Sequence, residues 1–373
     1  MNVPVNEPII TAESKEYVNE AMDSGWISSA GKYIGQFERE FAAFVGVKHG
    51  ITTTNGTSAL HLALATLNIG PGDEVIVPNF TMIATTYAVL YTGATPVFVD
   101  ADPETFNMDV AQIESKITPK TKAILPVHIY GHSCDMDPIL ALAKKHDLFV
   151  VEDAAEAHGA LYKGKKCGSM GDISCFSFYG NKIITTGEGG MIVTDDDALA
   201  ARAASLRDLA HSPKKRFWHE ELGFNYRMTN LQAAFGCGQM RHVEEFLEKK
   251  RWMAVAYKKG LSGIPGLRLP ITKDYAENVH WMYAVLVEKS FPLSKDELRA
   301  RLKEKGVDTR DFFYSTADMP VVKGARFAKG LPAEDRFPVS DMLAAQGMYL
   351  PSGLALTQEQ LDYVCATVRE STI

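Results

Sequence analysis

The sequence has no apolar run of membrane-spanning length, no closely spaced cysteine pair, no charged leader followed by an apolar block and no excess of basic residues. Each absence excludes something. Without a long apolar run there is no transmembrane helix to expect. The start, Met1-Asn-Val-Pro-Val-Asn-Glu-Pro8, does not read as a signal peptide. The five cysteines, Cys134, Cys167, Cys175, Cys237 and Cys365, are scattered and odd in number, so neither a metal site nor a disulfide framework is expected. That pattern suits a reducing cytoplasm. Lys and Arg number 39 against 46 Asp and Glu, a net charge of −7, which leaves no broad basic field for nucleic acid. An anionic small molecule can still be held by a local pocket. No internal repeat and no low-complexity segment is present.

What is present is a chain of 373 residues with 46% hydrophobic content, enough for two or three lobes with a sizeable core. Strand and helix patterns alternate through its first half. Strands are expected at His49–Thr54, Glu74–Pro78, Pro96–Asp100, Lys122–Val127 and Leu148–Asp153, with helices at residues 59–67, 81–91 and 138–146 between them. Such alternation predicts an α/β fold, a mostly parallel sheet covered by helices on both faces. Ligands of such sheets lie outside the carboxyl ends of the strands. Phe37, Phe41 and Phe44 recur at helical spacing after a Gly- and Ser-rich loop, Trp26–Gly35. A long helix from Thr229 to about Tyr257 is expected to join a large lobe, residues 1–240, to a smaller α+β lobe, residues 241–373. In that second lobe the pattern shows one strand, His280–Val287, a helix capped by Ser294 with Glu297 three residues on, and a final helix from near Thr357.

The segment Ser174-Cys-Phe-Ser-Phe-Tyr-Gly-Asn-Lys-Ile-Ile-Thr-Thr-Gly-Glu-Gly-Gly190 starts as a strand and ends in glycines that allow close backbone approach. Lys182 stands between the two. A lysine held there offers its amine to a carbonyl, forming a Schiff base; a solvated loop lysine is the other reading. Asn55-Gly-Thr-Ser58 opens an apolar helix, where free amides and two hydroxyls make an anion site, or where Thr or Ser is an ordinary cap. Asp153 ends a buried strand, with Glu152 before it and Glu156 and His158 after. Buried and ionised, Asp153 needs a cationic partner, unless it is a helix cap. His158 suits either a structural role or a substrate-facing one. An anion cradle, a strand-end aspartate and a later lysine together match the phosphate, ring nitrogen and aldehyde of pyridoxal 5'-phosphate.

On these segments, and on Gly25-Trp-Ile-Ser-Ser29, Gly70-Pro-Gly-Asp-Glu-Val-Ile-Val-Pro78 and Gly223-Phe-Asn-Tyr-Arg-Met-Thr-Asn230, the sequence resembles the DegT/DnrJ/EryC1/StrS sugar-nucleotide aminotransferases of fold type I. The resemblance runs from about Pro4 to the last helix. It implies that Lys182 is the Schiff-base lysine, that Asp153 pairs with the pyridinium nitrogen, that Glu156 sits near the ring hydroxyl, and that Gly56, Thr57 and Ser177 bind the phosphate. Asn225 would reach the phosphate site of a second subunit, which implies a homodimer with shared sites. The amino donor implied is L-glutamate and the acceptor a nucleotide-linked keto sugar, with Trp26, Ser28, His158, Trp218, Arg227, Arg310, Phe313 and Tyr314 lining the substrate.

Within the family, Phe178–Gly190 and Lys215–Asn230 are most similar to the GDP-perosamine synthases, which aminate a 4-keto-6-deoxy sugar. The basic-aromatic run Lys214-Lys-Arg-Phe-Trp218 is either a diphosphate and base contact or a solvated charge run. Three departures stand out. Many members carry Gln at the position of Glu156, Met82 replaces the aromatic expected over the cofactor ring, and Ser315–Pro320 lacks the proline and histidine expected after Arg310–Tyr314. The alternatives are a dTDP- or UDP-linked 3- or 4-keto sugar, a dehydratase relative that replaces the lysine by histidine, and a non-enzymatic regulatory relative. The retained Lys182, Asp153 and phosphate residues speak against the last two.

Overall fold

The computed structural model describes residues 1–215, 217–323 and 337–372. The chain opens with helices α1 (Ala12–Asp23) and α2 (Lys32–Val45) and then alternates: β1 (His49–Thr53), α3 (Gly56–Thr66), β2 (Glu74–Pro78), α4 (Ile83–Thr92), β3 (Thr95–Val99), a short α5 (Val110–Ile113), β4 (Thr121–Ile124), α6 (Met136–His146) and β5 (Phe149–Asp153). Two short strands, β6 (Leu161–Tyr162) and β7 (Lys165–Lys166), precede β8 (Ile173–Ser177), β9 (Gly190–Thr194), α7 (Asp197–Arg207), α8 (Asn230–Met240) and α9 (Val243–Leu261). The remainder comprises β10 (Leu267–Arg268), β11 (Ala276–Glu277), β12 (Tyr283–Val287), α10 (Lys295–Glu304), β13 (Arg310–Asp311), α11 (Pro320–Lys323), α12 (Pro338–Gln346), β14 (Gly347–Leu350) and α13 (Gln358–Glu370).

A seven-stranded sheet, in the order β1-β9-β8-β5-β4-β2-β3, is parallel from β8 to β3. Only β9 runs against its neighbours. This is the expected α/β architecture. Every residue of β8 and β9 is buried, as helices on both faces demand. Helix α3 is apolar on nearly all sides because it is wedged between β8 and the helices α4 and α7. In α2, Phe37 and Phe41 turn inward, and the helix stops at Gly46 in the left-handed region (φ 94°).

The structure departs from the sequence pattern in three places. The helix expected from Thr229 to Tyr257 is two helices. At His242 the backbone leaves helical geometry (φ −117°, ψ 11°), and its ring bonds Glu13 and Glu245. The break lets α8 pack on α1 and α2 while α9 packs on α13. The loop expected over Trp26–Gly35 ends early, because α2 starts at Lys32. Finally, the second half carries a four-stranded antiparallel sheet, β10-β12-β14-β13, around the one expected strand. Its other members are only two to four residues long, too short to show a period of two. The expected cap at Ser294 is present as a reciprocal capping box, and the final helix, which starts where expected, carries one at Thr357 as well. A separate apolar core in this half gathers Tyr257, Tyr283, Leu298, Leu302 and Val364, joined by Val3 from the chain start.

Candidate active site

Lys182 sits in the loop that turns β8 into β9. Ser177 faces Gly190 across the pair. Phe178 donates to the Gly189 carbonyl at 2.8 Å and accepts from the Thr186 amide at 2.9 Å. Ile183 and Ile184 are buried and pin the loop from inside. The lysine side chain is only 10% exposed, so the solvated-loop reading does not hold. Gly190 is required by close approach: a Cβ there would lie 2.4 Å from the Asn55 carbonyl oxygen. That contact brings the lysine loop against the start of α3.

The alternation of β5 sends its last two carboxylates to opposite faces. Asp153 accepts from Thr85 Oγ1 at 2.8 Å and from the Ala155 amide at 3.2 Å. Burial raises its pKa, against the pull of those bonds and of Lys182. Glu156, in the turn after β5, accepts from the Tyr130 amide at 2.7 Å and lies 3.7 Å from Lys182 Nζ. Burial pushes Glu156 up to about 7, although Lys182 opposes the rise. The Lys182 amine is itself lowered, by burial first, with Glu156 and Asp153 pulling the other way. Its Nζ also lies 3.7 Å from the centre of the Trp281 ring.

At the start of α3 the cap is Asn55, whose side chain accepts from the Ser58 amide at 2.8 Å. Neither Thr57 nor Ser58 is the cap. The Ser58 hydroxyl is taken up by Asn55 and Thr54. Among the described residues the amides of Gly56 and Thr57 find no partner, as expected at a helix start. A Cβ on Gly56 would come within 2.8 Å of Ser177 Cβ, so Ser177 at the end of β8 and the first turn of α3 share one cradle.

The other expected residues are spread more widely. His158 is fully buried among Phe41, Phe176 and Phe178, with neither ring nitrogen hydrogen-bonded among the described residues, and burial lowers its pKa to about 3, although the Ser177 backbone pulls the other way. Met82 is 47% exposed at the N-cap of α4, one turn from Thr85. Asn225 is exposed; the rings of Phe224 and Tyr226 on either side stack at 5.1 Å, and Tyr226 bonds His61 on α3. Arg227 pairs with Asp208. Trp26 and Ser28 are exposed, and their carbonyls accept from Asn230. Trp218 is exposed beneath Lys215, 4.2 Å from its ring centre, whereas Arg216 lies outside the described residues. Arg310 forks onto Asp308 at 2.9 Å. Phe313 lies parallel to the Tyr130 ring (5.7 Å, 9°), and Tyr314 is 60% exposed.

A model of the DegT/DnrJ/EryC1/StrS aminotransferase family matches residues 8–369. A GDP-perosamine synthase of Caulobacter vibrioides is 46% identical over 370 residues, covering 98% of this chain and 97% of the relative. One of Escherichia coli O157:H7 is 45% identical over 370 residues, covering 99% and 98%. Among solved structures, DesV of S. venezuelae superposes with a TM-score of 0.92 at 37% identity, covering 100% of this chain and 98% of that one. The chain belongs to the DegT/DnrJ/EryC1/StrS aminotransferase family.

Aminotransferases of this family depend on pyridoxal phosphate. The residues present fit that cofactor: a cradle with free amides, a buried carboxylate at a strand end, and a buried amine facing a second carboxylate. Among the described residues no cluster of ligating side chains could hold a metal ion, all five cysteines are buried and unpaired, and no helix is long and apolar enough to cross a membrane. Three residues of the site escaped the sequence reading: Thr85, Tyr130 and Trp281. Thr85 carries no motif of its own. Tyr130, at φ 51°, gives a sign only in the glycine that follows it. Trp281 lies about a hundred positions beyond the lysine it touches.

Proposed function

We propose that this chain transfers an amino group from L-glutamate to the keto carbon of a nucleotide-linked 4-keto-6-deoxy sugar. GDP-4-keto-6-deoxymannose is the substrate to which the two perosamine synthase relatives point, with GDP-perosamine as product. The observation that carries the reading is the convergence of Lys182, Asp153 and Glu156 in one buried cluster beside the α3 cradle.

When bound, pyridoxal phosphate supplies a ring that takes up negative charge from a carbon losing its proton. The chain's own residues do the rest. The Gly56 and Thr57 amides and the Ser177 hydroxyl hold the phosphate at the positive end of α3. Asp153, kept from water, is stabilised in its charged form by a protonated ring nitrogen and so keeps that nitrogen protonated. Glu156 accepts a hydrogen bond from the ring hydroxyl. Lys182 would hold the aldehyde through its amine, and its Nζ would accept and return a proton. Met82 stands at the edge of the ring site as a polarisable apolar contact. Arg227, Arg310, Phe313, Tyr314, Trp218, Trp26 and Ser28 are read as the substrate side, the exposed members meeting substrate where a partner subunit closes the site; His158, sealed among Phe41, Phe176 and Phe178, belongs to the core instead.

That partner is a second copy of this chain. Asn225 supports this: it points outward while its two aromatic neighbours anchor the segment to α3. The lobes divide near residue 240, a boundary supported by the break at His242 and by the separate second core. Five buried, unpaired cysteines suit a cytoplasmic setting.

The substrate is tested by incubation with glutamate and GDP-, dTDP- and UDP-linked 3- and 4-keto sugars. Amination of the GDP-linked 4-keto sugar in preference to the others is expected; preference for a different nucleotide or for the third carbon would replace the substrate named above. The shared site is tested by unfolding and remixing equal amounts of Lys182→Ala and Asn225→Ala chains. Random pairing makes about half of the dimers mixed, each with one intact site, so roughly a quarter of wild-type activity should return. No recovery above the mean of the parents would place Asn225 in its own subunit.

A further inference from the structure

We propose that Trp281 is a positioning residue for the Lys182 amine, and that the buried amine of Lys250 holds Trp281 in place. The inference rests on the reading of Lys182 given above. Trp281 is 3% exposed, just ahead of β12, and its ring face meets Lys182 Nζ at 3.7 Å. A cation over an indole face at this distance is attracted by the ring quadrupole, more so out of water. The ring is fixed from three directions. Its Nε1 donates to the carbonyl of Asn181, the residue beside Lys182, at 2.8 Å. The Tyr130 ring lies nearly parallel to it at 6.3 Å, and the Tyr130 amide holds Glu156. The Trp281 carbonyl accepts from Lys250 Nζ at 2.8 Å.

Lys250 has no other evident purpose. It is 2% exposed on α9, and no carboxylate among the described residues lies within ion-pair distance. Its partners are two carbonyls, those of Trp281 and Ser352. Burial pushes its pKa down to about 7. Burying an ammonium on carbonyls alone is unfavourable, and here the amine ties α9 to the approach of β12 and to the turn after β14. Lys182 thus rests between an aromatic face and a carboxylate. The titratable groups that act on it are Glu156 and Asp153 from the β5 side, with the imidazole of His158 nearby.

The test uses full-length chain stripped of cofactor, with acetic anhydride as the probe. Acetylation of Lys182 is followed against pH by mass spectrometry, with exposed lysines of the same chain as internal reference. Trp281→Leu should move the Lys182 midpoint down by about 0.5–1.5 pH units, since the charged amine loses its aromatic partner. Trp281→Phe should recover part of that shift, and Lys250→Met should shift the midpoint in the same direction by less. A merely structural role for Trp281 would open the site to water and move the midpoint up toward that of an ordinary lysine. An upward shift, or none, overturns the proposal. Should Trp281→Leu not fold, Trp281→Phe decides alone: a smaller downward shift is expected, and no shift overturns. The reading of Lys182 fails on a different result, the survival of transamination in Lys182→Ala.

Discussion

Glu152 and Glu156 are both buried carboxylates at the end of β5, four residues apart, yet they behave in opposite ways. Glu152 accepts from His128 Nε2, the amides of Gly168, Met170 and Gly171, and the Ser174 hydroxyl, all between 2.6 and 3.1 Å. The Cys134 amide donates to the other His128 nitrogen, so Nε2 carries the hydrogen that Glu152 receives. Burial alone would raise Glu152, but these bonds outweigh it and hold its pKa below the usual range. Glu156 has one amide donor and a lysine at 3.7 Å, and burial wins. Burial therefore does not decide what a carboxylate is for; the number of donors around it does. A saturated carboxylate locks the Gly168–Gly171 turn to the sheet. Asp153 and Glu156 have fewer donors and so keep unfilled acceptor capacity.

That contrast is open to direct attack. The largest effect is expected from Lys182→Ala, which should cut transamination by about 10³-fold or more while far-UV circular dichroism stays native. Near-normal turnover would move the covalent role to another lysine. Asp153→Asn comes next. Asn still accepts from Thr85 but cannot keep a ring nitrogen protonated, so the single-turnover rate should fall by ~3 kcal/mol of barrier with cofactor still bound.

On the other face, Glu152→Gln should leave the chemistry of folded molecules nearly intact and lower the thermal midpoint instead. Either orientation of the amide turns an NH₂ toward two or three donors, which costs about 2–4 kcal/mol. A variant as stable as the parent would mean that the donor count is not what holds the turn.

The smallest effect is the pH dependence of Glu156→Gln, measured without cofactor. The folded carboxyl titrates near 7 against an ordinary 4.5. Its favourable contribution is complete below the unfolded value and is lost as pH rises to about 7, because the unfolded chain ionises first. The variant, which cannot ionise, should gain on wild type across that window by roughly 1–3 kcal/mol and then run level. Thermal midpoints at a series of pH values report the difference; a constant offset would assign Glu156 an ordinary titration.

Much of this was legible beforehand because it is local. The parallel strands announce themselves as apolar runs, since both faces are buried, and the cap at Ser294 with Glu297 is a three-residue signal. Lys182, Asp153 and the Asn55–Ser58 turn could be picked out as candidates because each sits at a strand–turn junction, where chain order already says which sheet end it occupies; Ser177 came only with the family resemblance. Other features carried no such mark. The break at His242 lies within a continuous apolar pattern, and only the different packing partners of α8 and α9 call for it. The five donors to Glu152 come from three separate segments, so nothing near Glu152-Asp153 says which of the two is saturated. Sequence alone determined the sheet and the list of candidate groups, because strand periodicity and turn chemistry act over a few residues. Only the tertiary structure decided how those groups are charged and aimed. Burial, donor count and an aromatic face brought from Trp281 are sums over contacts between distant parts of the chain.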